Sequence, residues 1–172
     1  GTAVFPAACT LVAAMNPCPC GYLGHTEKAC RCSGAAVERY RARVSGPLLD
    51  RIDALIEVPP LTLAALERTV EGEASALVRD RVGAAREFRL HRENHQDDQA
   101  RVPLEERNGL TEEARGLLRD ALVRDGLSGR AYVRTVRLAR TIADLDGVRP
   151  VRVDHVAEAL ALRLDQRRVG LF

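Results

Sequence analysis

Four of the chain's five cysteines crowd into one short stretch: Cys18, Cys20, Cys30 and Cys32. They read Cys-x-Cys, nine intervening residues, Cys-x-Cys. Four thiolates can surround a tetrahedral Zn²⁺, and such an ion can fold a loop that has no core of its own. Clustering of this kind suits a reducing compartment and metal ligation better than a disulfide scaffold. The usual zinc knuckle has two residues between its cysteines and this one has one, so plain reduced thiols are the bland alternative. His25 lies inside the loop and can stand in for one thiolate. Lys28 and Arg31 can offset the excess negative charge. Cys9 sits in an apolar run and is expected in the core.

Three further residues suit phosphate chemistry. Asn16 ends the apolar run Cys9–Met15 and can hold a water or a terminal phosphate oxygen; taken alone, Asn16-Pro17 reads as a turn start. Arg51 follows the stiff turn Ser-Gly-Pro-Leu-Leu-Asp and can project into a neighbouring subunit's phosphate site, or else pair with Asp50 or Asp53. Arg130 falls in the first turn of a helix opened by Ser128, beside exposed N–H groups that favour anions. Arg134 and Arg137 continue its face as a solvated stripe.

Other chemistry is missing from the chain. No GxxxxGKS/T phosphate loop occurs, and no apolar run ends in Asp-Glu to hold Mg²⁺, so this stretch alone should not hydrolyse a nucleotide. His25, His91, His95 and His155 are scattered and form no hydrolytic triad with Ser or Cys. His91 and His95 are four apart, a spacing that more often marks a solvated helix face than a metal site.

The elements that must position these groups can be read in order. Cys9–Met15 reads as a buried strand of a parallel sheet, which puts Asn16 at a strand's carboxyl end. Residues 17–33 are a loop, 34–44 a helix, Pro47–Arg51 one helical turn and 55–58 a last strand. Pro59-Pro60 marks a domain boundary. Beyond it come helices: 61–68; 75–93, with Leu77, Val78, Val82, Ala85 and Phe88 inward; 111–124, capped by Thr111 and stopped by Gly126; 128–145; and 154–164, capped by Asp154. Residues 94–108 read as a loop. The fold class is therefore an α/β portion over residues 1–60 followed by an all-α domain over 61–172, mainly α overall. A sheet portion of so few strands should expose apolar edges and favour self-association.

Composition sets outer bounds. The chain has 172 residues, 46% hydrophobic and 29% charged, which is globular. Aromatics are only 3%, so Leu, Val, Ile and Ala must build the core. A net charge of +2 gives no nucleic-acid signal; such contact would be local. No membrane span or signal peptide is visible, and the expected location is cytoplasmic.

The segments VAAMNPCPCGYLG, CRCS, RYRARVSGPLLDRIDALIEVP and LSGRAYVRTVRLARTIADLDG resemble the C-terminal part of the ComM/YifB family, the magnesium-chelatase-like AAA+ ATPases. The resemblance implies an AAA+ core portion over residues 1–60 and a helical lid over 61–172. It implies that Asn16 is sensor 1, Arg51 the arginine finger and Arg130 the sensor 2 arginine. It implies ATP and Mg²⁺ in the complete protein, whose Walker segments would lie upstream, a homo-oligomeric, hexameric ring, and DNA as a partner in branch migration during natural transformation. Cys9 stands where many relatives carry an aromatic. The chelatase subunits share the Asn-Pro and a similar LLDRF-like turn but lack Cys-Pro-Cys-Gly here. Two rivals are a chelatase-type ATPase subunit and a stand-alone zinc-containing interaction module without ATP chemistry.

Overall fold

A computed structural model describes residues 2–3, 9–25, 27–60, 72–94 and 102–168. These residues are mainly helical: α1 Gly34–Arg41, α2 Gly46–Leu49, α3 Ser75–Asn94, α4 Leu104–Arg107, α5 Glu112–Asp125, α6 Gly129–Leu145 and α7 Val153–Arg168. They form two compact units, Gly1–Arg43 and Val44–Phe172. None of the described helices is long and apolar enough to cross a membrane.

The second unit is built on local signals that the sequence states clearly. Thr111 caps α5 by accepting the Ala114 N–H, and Gly126 ends it in the left-handed conformation at φ 57°. Ser128 caps α6 through the Ala131 N–H. Inward residues then fall at helical spacing: Ala114, Leu118 and Ala121 on α5, Val136, Ala139 and Ala143 on α6, Val156, Ala159 and Leu160 on α7. Their small side chains let α6 and α7 pack closely, with α5 across α7 and α3 across α6.

Several boundaries differ from expectation. On α3, Val78, Val82, Ala85 and Phe88 are half-buried, but Leu77 is 60% exposed, so the apolar line starts one residue later. A short helix, α4, occupies part of the expected loop. Asp154 lies inside α7 rather than capping it. The Arg152 N–H at that end donates to Nδ1 of buried His155 at 3.0 Å. With Nδ1 accepting, Nε2 carries the proton and donates to Asp146 at 3.1 Å. The helix expected over 61–68 falls outside the described residues.

Neither stretch expected as a strand forms one. Residues 9–16 take no regular secondary structure, with Leu11 65% and Val12 89% exposed, and Cys9 is exposed rather than buried in a core. At 55–58, Ile56 and Val58 are 72% and 84% exposed. A strand is stabilised by pairing, and no neighbouring strand pairs with either stretch among the described residues. The single bridge found there joins Leu110 to Val151. The sheet edges anticipated from the sequence are therefore not formed among the described residues, though the apolar side chains Leu11, Val12, Ile56 and Val58 are exposed.

The Tyr132 hydroxyl on α6 donates to the Glu105 carboxylate of α4. Burial, then this carboxylate, pushes the phenol up to about 12. An unfolded tyrosine ionises near pH 10. The folded chain therefore favours the protonated phenol, a contribution present in full below about pH 10 and lost as pH rises through about 12. Denaturant unfolding across this window should show that alkaline loss, and Tyr132→Phe should remove its share.

Candidate functional site

The first unit carries the cysteine cluster. Gly21 and Gly24 take positive φ of 80° and 81°, conformations that turn the loop twice within four residues. The Gly21 N–H donates to the Cys18 carbonyl at 3.0 Å and the His25 N–H to the Tyr22 carbonyl at 3.1 Å, closing both turns. Ser33 then caps α1 through the Ala36 N–H, so the helix begins directly after Cys32. These turns bring the two Cys-x-Cys pairs together. Sγ of Cys18 lies 3.4 Å from that of Cys20 and 3.7 Å from that of Cys30, and Cys20 lies 3.6 Å from Cys30. All four sulfurs, Cys32 included, lie within 4.8 Å of one another.

Those separations suit one ion. Zinc–sulfur bonds of about 2.3 Å in a tetrahedron require sulfurs about 3.8 Å apart. A disulfide would need about 2.05 Å, and the cysteines are free. The backbone also prepares the thiolate form. N–H groups of Tyr22 and then Arg31 draw Cys20 down to about 6. The Cys20 backbone favours the Cys32 thiolate too, but the crowd of neighbouring thiols and burial outweigh it and push Cys32 up to about 12. Four thiols at this spacing cannot all ionise without a cation among them.

His25 is not part of this set. Its Nδ1 accepts the N–H groups of Glu27 and Lys28 at 3.0 and 3.2 Å, and its ring meets Tyr22 edge-on. It organises the loop rather than replacing a thiolate. Lys28 sits over the Tyr22 ring, 5.3 Å from its centre.

Of the three phosphate candidates, Asn16 is exposed at the end of the apolar stretch in the first unit. Arg51 and Arg130 belong to the second unit, and both are exposed. Arg51 donates to the Pro47 carbonyl at 2.8 Å, which closes the turn after α2, and pairs with neither Asp50 nor Asp53. Arg130 opens α6 and has no ion pair among the described residues. The arginines around them are engaged instead. Arg134 reaches the Asp53 carboxylate at 2.5 Å and the Arg51 carbonyl at 2.7 Å. Arg163, only 5% exposed, donates to the carbonyls of Ile52 and Asp53 at 3.2 and 3.3 Å. Burial, then the nearby Arg134 cation, pulls Arg163 below the ordinary range.

Arg134 is therefore no solvated stripe residue. Nothing local announces its partner, which lies 81 residues away. Arg163 did leave a signal: it continues the inward series Val156, Ala159, Leu160 at helical spacing, where an apolar residue is the norm. Another buried set, Arg140 and Asp144 with Arg92 on α3, ties that helix to α6 and belongs to the scaffold.

Comparison with known proteins agrees with this anatomy. Residues 1–66 match the family model described as magnesium chelatase, subunit ChlI, and residues 72–163 match that of the subunit's C-terminal part. Competence protein ComM of Haemophilus influenzae is 42% identical over 161 residues, 92% of this chain and 31% of ComM. YifB of Escherichia coli is 39% identical over 165 residues, 95% of this chain and 32% of YifB. A Mycobacterium bovis protein is 38% identical over 168 residues, 95% of this chain and 33% of its own length. The chain spans about a third of the length of these relatives. With both family models matched in order and the cysteine cluster and arginine-bearing turn in place, the chain belongs to the ComM/YifB magnesium-chelatase-like family and corresponds to the C-terminal portion of its members.

Proposed function

We propose that this chain is the sensor, finger and lid portion of a ring-forming AAA+ ATPase that remodels DNA. Residues 1–60 are the C-terminal portion of the ATPase core and 61–172 the lid; the two family models meet between residues 66 and 72, which supports that division. The exposed apolar side chains Leu11, Val12, Ile56 and Val58 are then surfaces for the rest of the parallel sheet. The phosphate loop and Mg²⁺ ligands come from the upstream segment that the longer relatives carry.

The observation that carries this reading is the contrast among arginines. Arg134, Arg140 and Arg92 are held by acids and Arg163 is buried against carbonyls, whereas Arg51 and Arg130 are exposed with no ion pair among the described residues, Arg51 bonding to the Pro47 carbonyl of its own turn. In the ring, Arg51 neutralises charge that develops on the transferring phosphoryl oxygens of the neighbouring subunit's nucleotide. Arg130 meets phosphate beside the first N–H groups of α6. The Asn16 amide orients the attacking water. Mg²⁺, held by ligands outside this chain in the complete protein, would supply further neutralisation of the phosphate charge. A Zn²⁺ held by Cys18, Cys20, Cys30 and Cys32 staples the loop and takes no part in hydrolysis.

DNA is favoured as the polymer by the relatives rather than by charge. Residues 1–43 hold five basic side chains, Lys28, Arg31, Arg39, Arg41 and Arg43, against Glu27 and Glu38, a net +3. That formal +3 falls to +1 once four thiolates and one Zn²⁺ are counted. The relative named as a competence protein fits DNA handling in the cytoplasm during transformation. ATPase assays on the complete protein test the choice. Turnover should rise severalfold with DNA, and the stimulation should weaken as salt increases. Turnover indifferent to DNA would favour a chelatase-type subunit, and no turnover at all a zinc-stapled interaction module.

A further inference from the structure

The turn that bears Arg51 closes on itself through local hydrogen bonds and is anchored beyond itself to the lid helices. Three successive carbonyls, of Arg51, Ile52 and Asp53, accept from guanidinium groups of α6 and α7. Two residues on, the Leu55 N–H donates to the Leu162 carbonyl of α7 at 2.9 Å. The Asp53 carboxylate adds an ion pair with Arg134, but at 69% exposure that pair is worth little by itself. The Arg163 contacts matter more, since that guanidinium is buried and would itself lose its acceptors if the turn moved away.

We propose that Arg134 and Arg163 are positioning residues for Arg51, lashing the finger turn to the lid so that the finger moves when the lid moves. The proposal rests on the reading of Arg51 as a trans-acting finger. Arg130 lies one helical turn before Arg134 on the same rigid helix, about 6 Å along its axis. Phosphate contact at Arg130 and placement of Arg51 are therefore joined by one element rather than by a chain of side chains. A shift of α6 on nucleotide binding or release would carry Arg51 toward or away from the next subunit's site.

Two measurements test this. In the 172-residue chain, Arg134→Gln should speed amide exchange over residues 51–55 by about tenfold or more and leave α5 unchanged. In the complete ATPase, Arg134→Gln should lower kcat by roughly 10- to 100-fold, as a misplaced catalytic group does, with KM for ATP within about twofold. Arg134→Lys, which keeps the charge on a shorter side chain than the one whose single guanidinium nitrogen meets both acceptors, should fall between. Should Arg134→Gln fail to fold, Asp53→Asn replaces it; that exposed change should cost about threefold in kcat at unchanged KM. Arg51→Ala is the control. If it abolishes turnover while both clamp variants turn over normally, the clamp is wrong and the finger stands. If Arg51→Ala itself turns over normally, the finger reading falls and the clamp with it.

Discussion

Arg51→Ala in the complete ATPase is expected to lower turnover by about 10³-fold or more while nucleotide binding changes little, the scale on which an arginine finger acts. The local structure makes this a clean substitution. Arg51 is exposed, and among the described residues its guanidinium bonds to the Pro47 carbonyl of the same turn. Its backbone carbonyl, held by Arg134, survives the change. The turn should therefore keep its shape and lose only the projecting charge. Steady-state turnover and equilibrium binding of a nucleotide analogue separate the two effects. Turnover within a few fold of the unaltered protein would remove Arg51 from the chemistry.

The second large effect concerns the cysteine loop. Purified protein should carry about one equivalent of zinc. Chelation, or Cys20→Ser, should abolish the ordered structure of residues 18–32, because structural zinc sites of this kind contribute apparent free energies of about 10–16 kcal/mol. Apart from Cys18, that unit buries only Val37 among its described apolar side chains, so it has little else to hold its turns. The second unit has its own core around Leu118, Val136 and Val156 and should keep its helical signal after chelation. Elemental analysis with backbone NMR measures both. A loop equally ordered with and without metal would show that hydrogen bonds alone maintain it.

What the sequence revealed and what it hid follow one physical line. Caps, stops and helical periodicity are local, so Thr111, Gly126 and Ser128 marked α5 and α6 to within a residue. The cysteine spacing was equally local, and the sulfurs do converge. Strands are different, because pairing partners decide them; the apolar runs at 9–15 and 55–58 looked like strands and find no strand partner among the described residues. Long-range ion pairs were also hidden. Asp53 seemed a partner for Arg51 two residues away, yet it answers to Arg134. Asp154 falls inside the first turn of α7, and His155 reaches back to accept the Arg152 N–H just before it, a contact that helical periodicity alone does not mark.

The most direct test of the central claim is to mix two inactive complete proteins. One carries Arg51→Ala; the other has an intact Arg51 but a disabled phosphate loop. Neither turns over ATP alone. If Arg51 serves its neighbour, mixed rings should recover a measurable fraction of turnover, rising with the proportion of each partner toward an even mixture. Mixed rings that form but stay inactive at every ratio would contradict a finger that reaches across the subunit boundary.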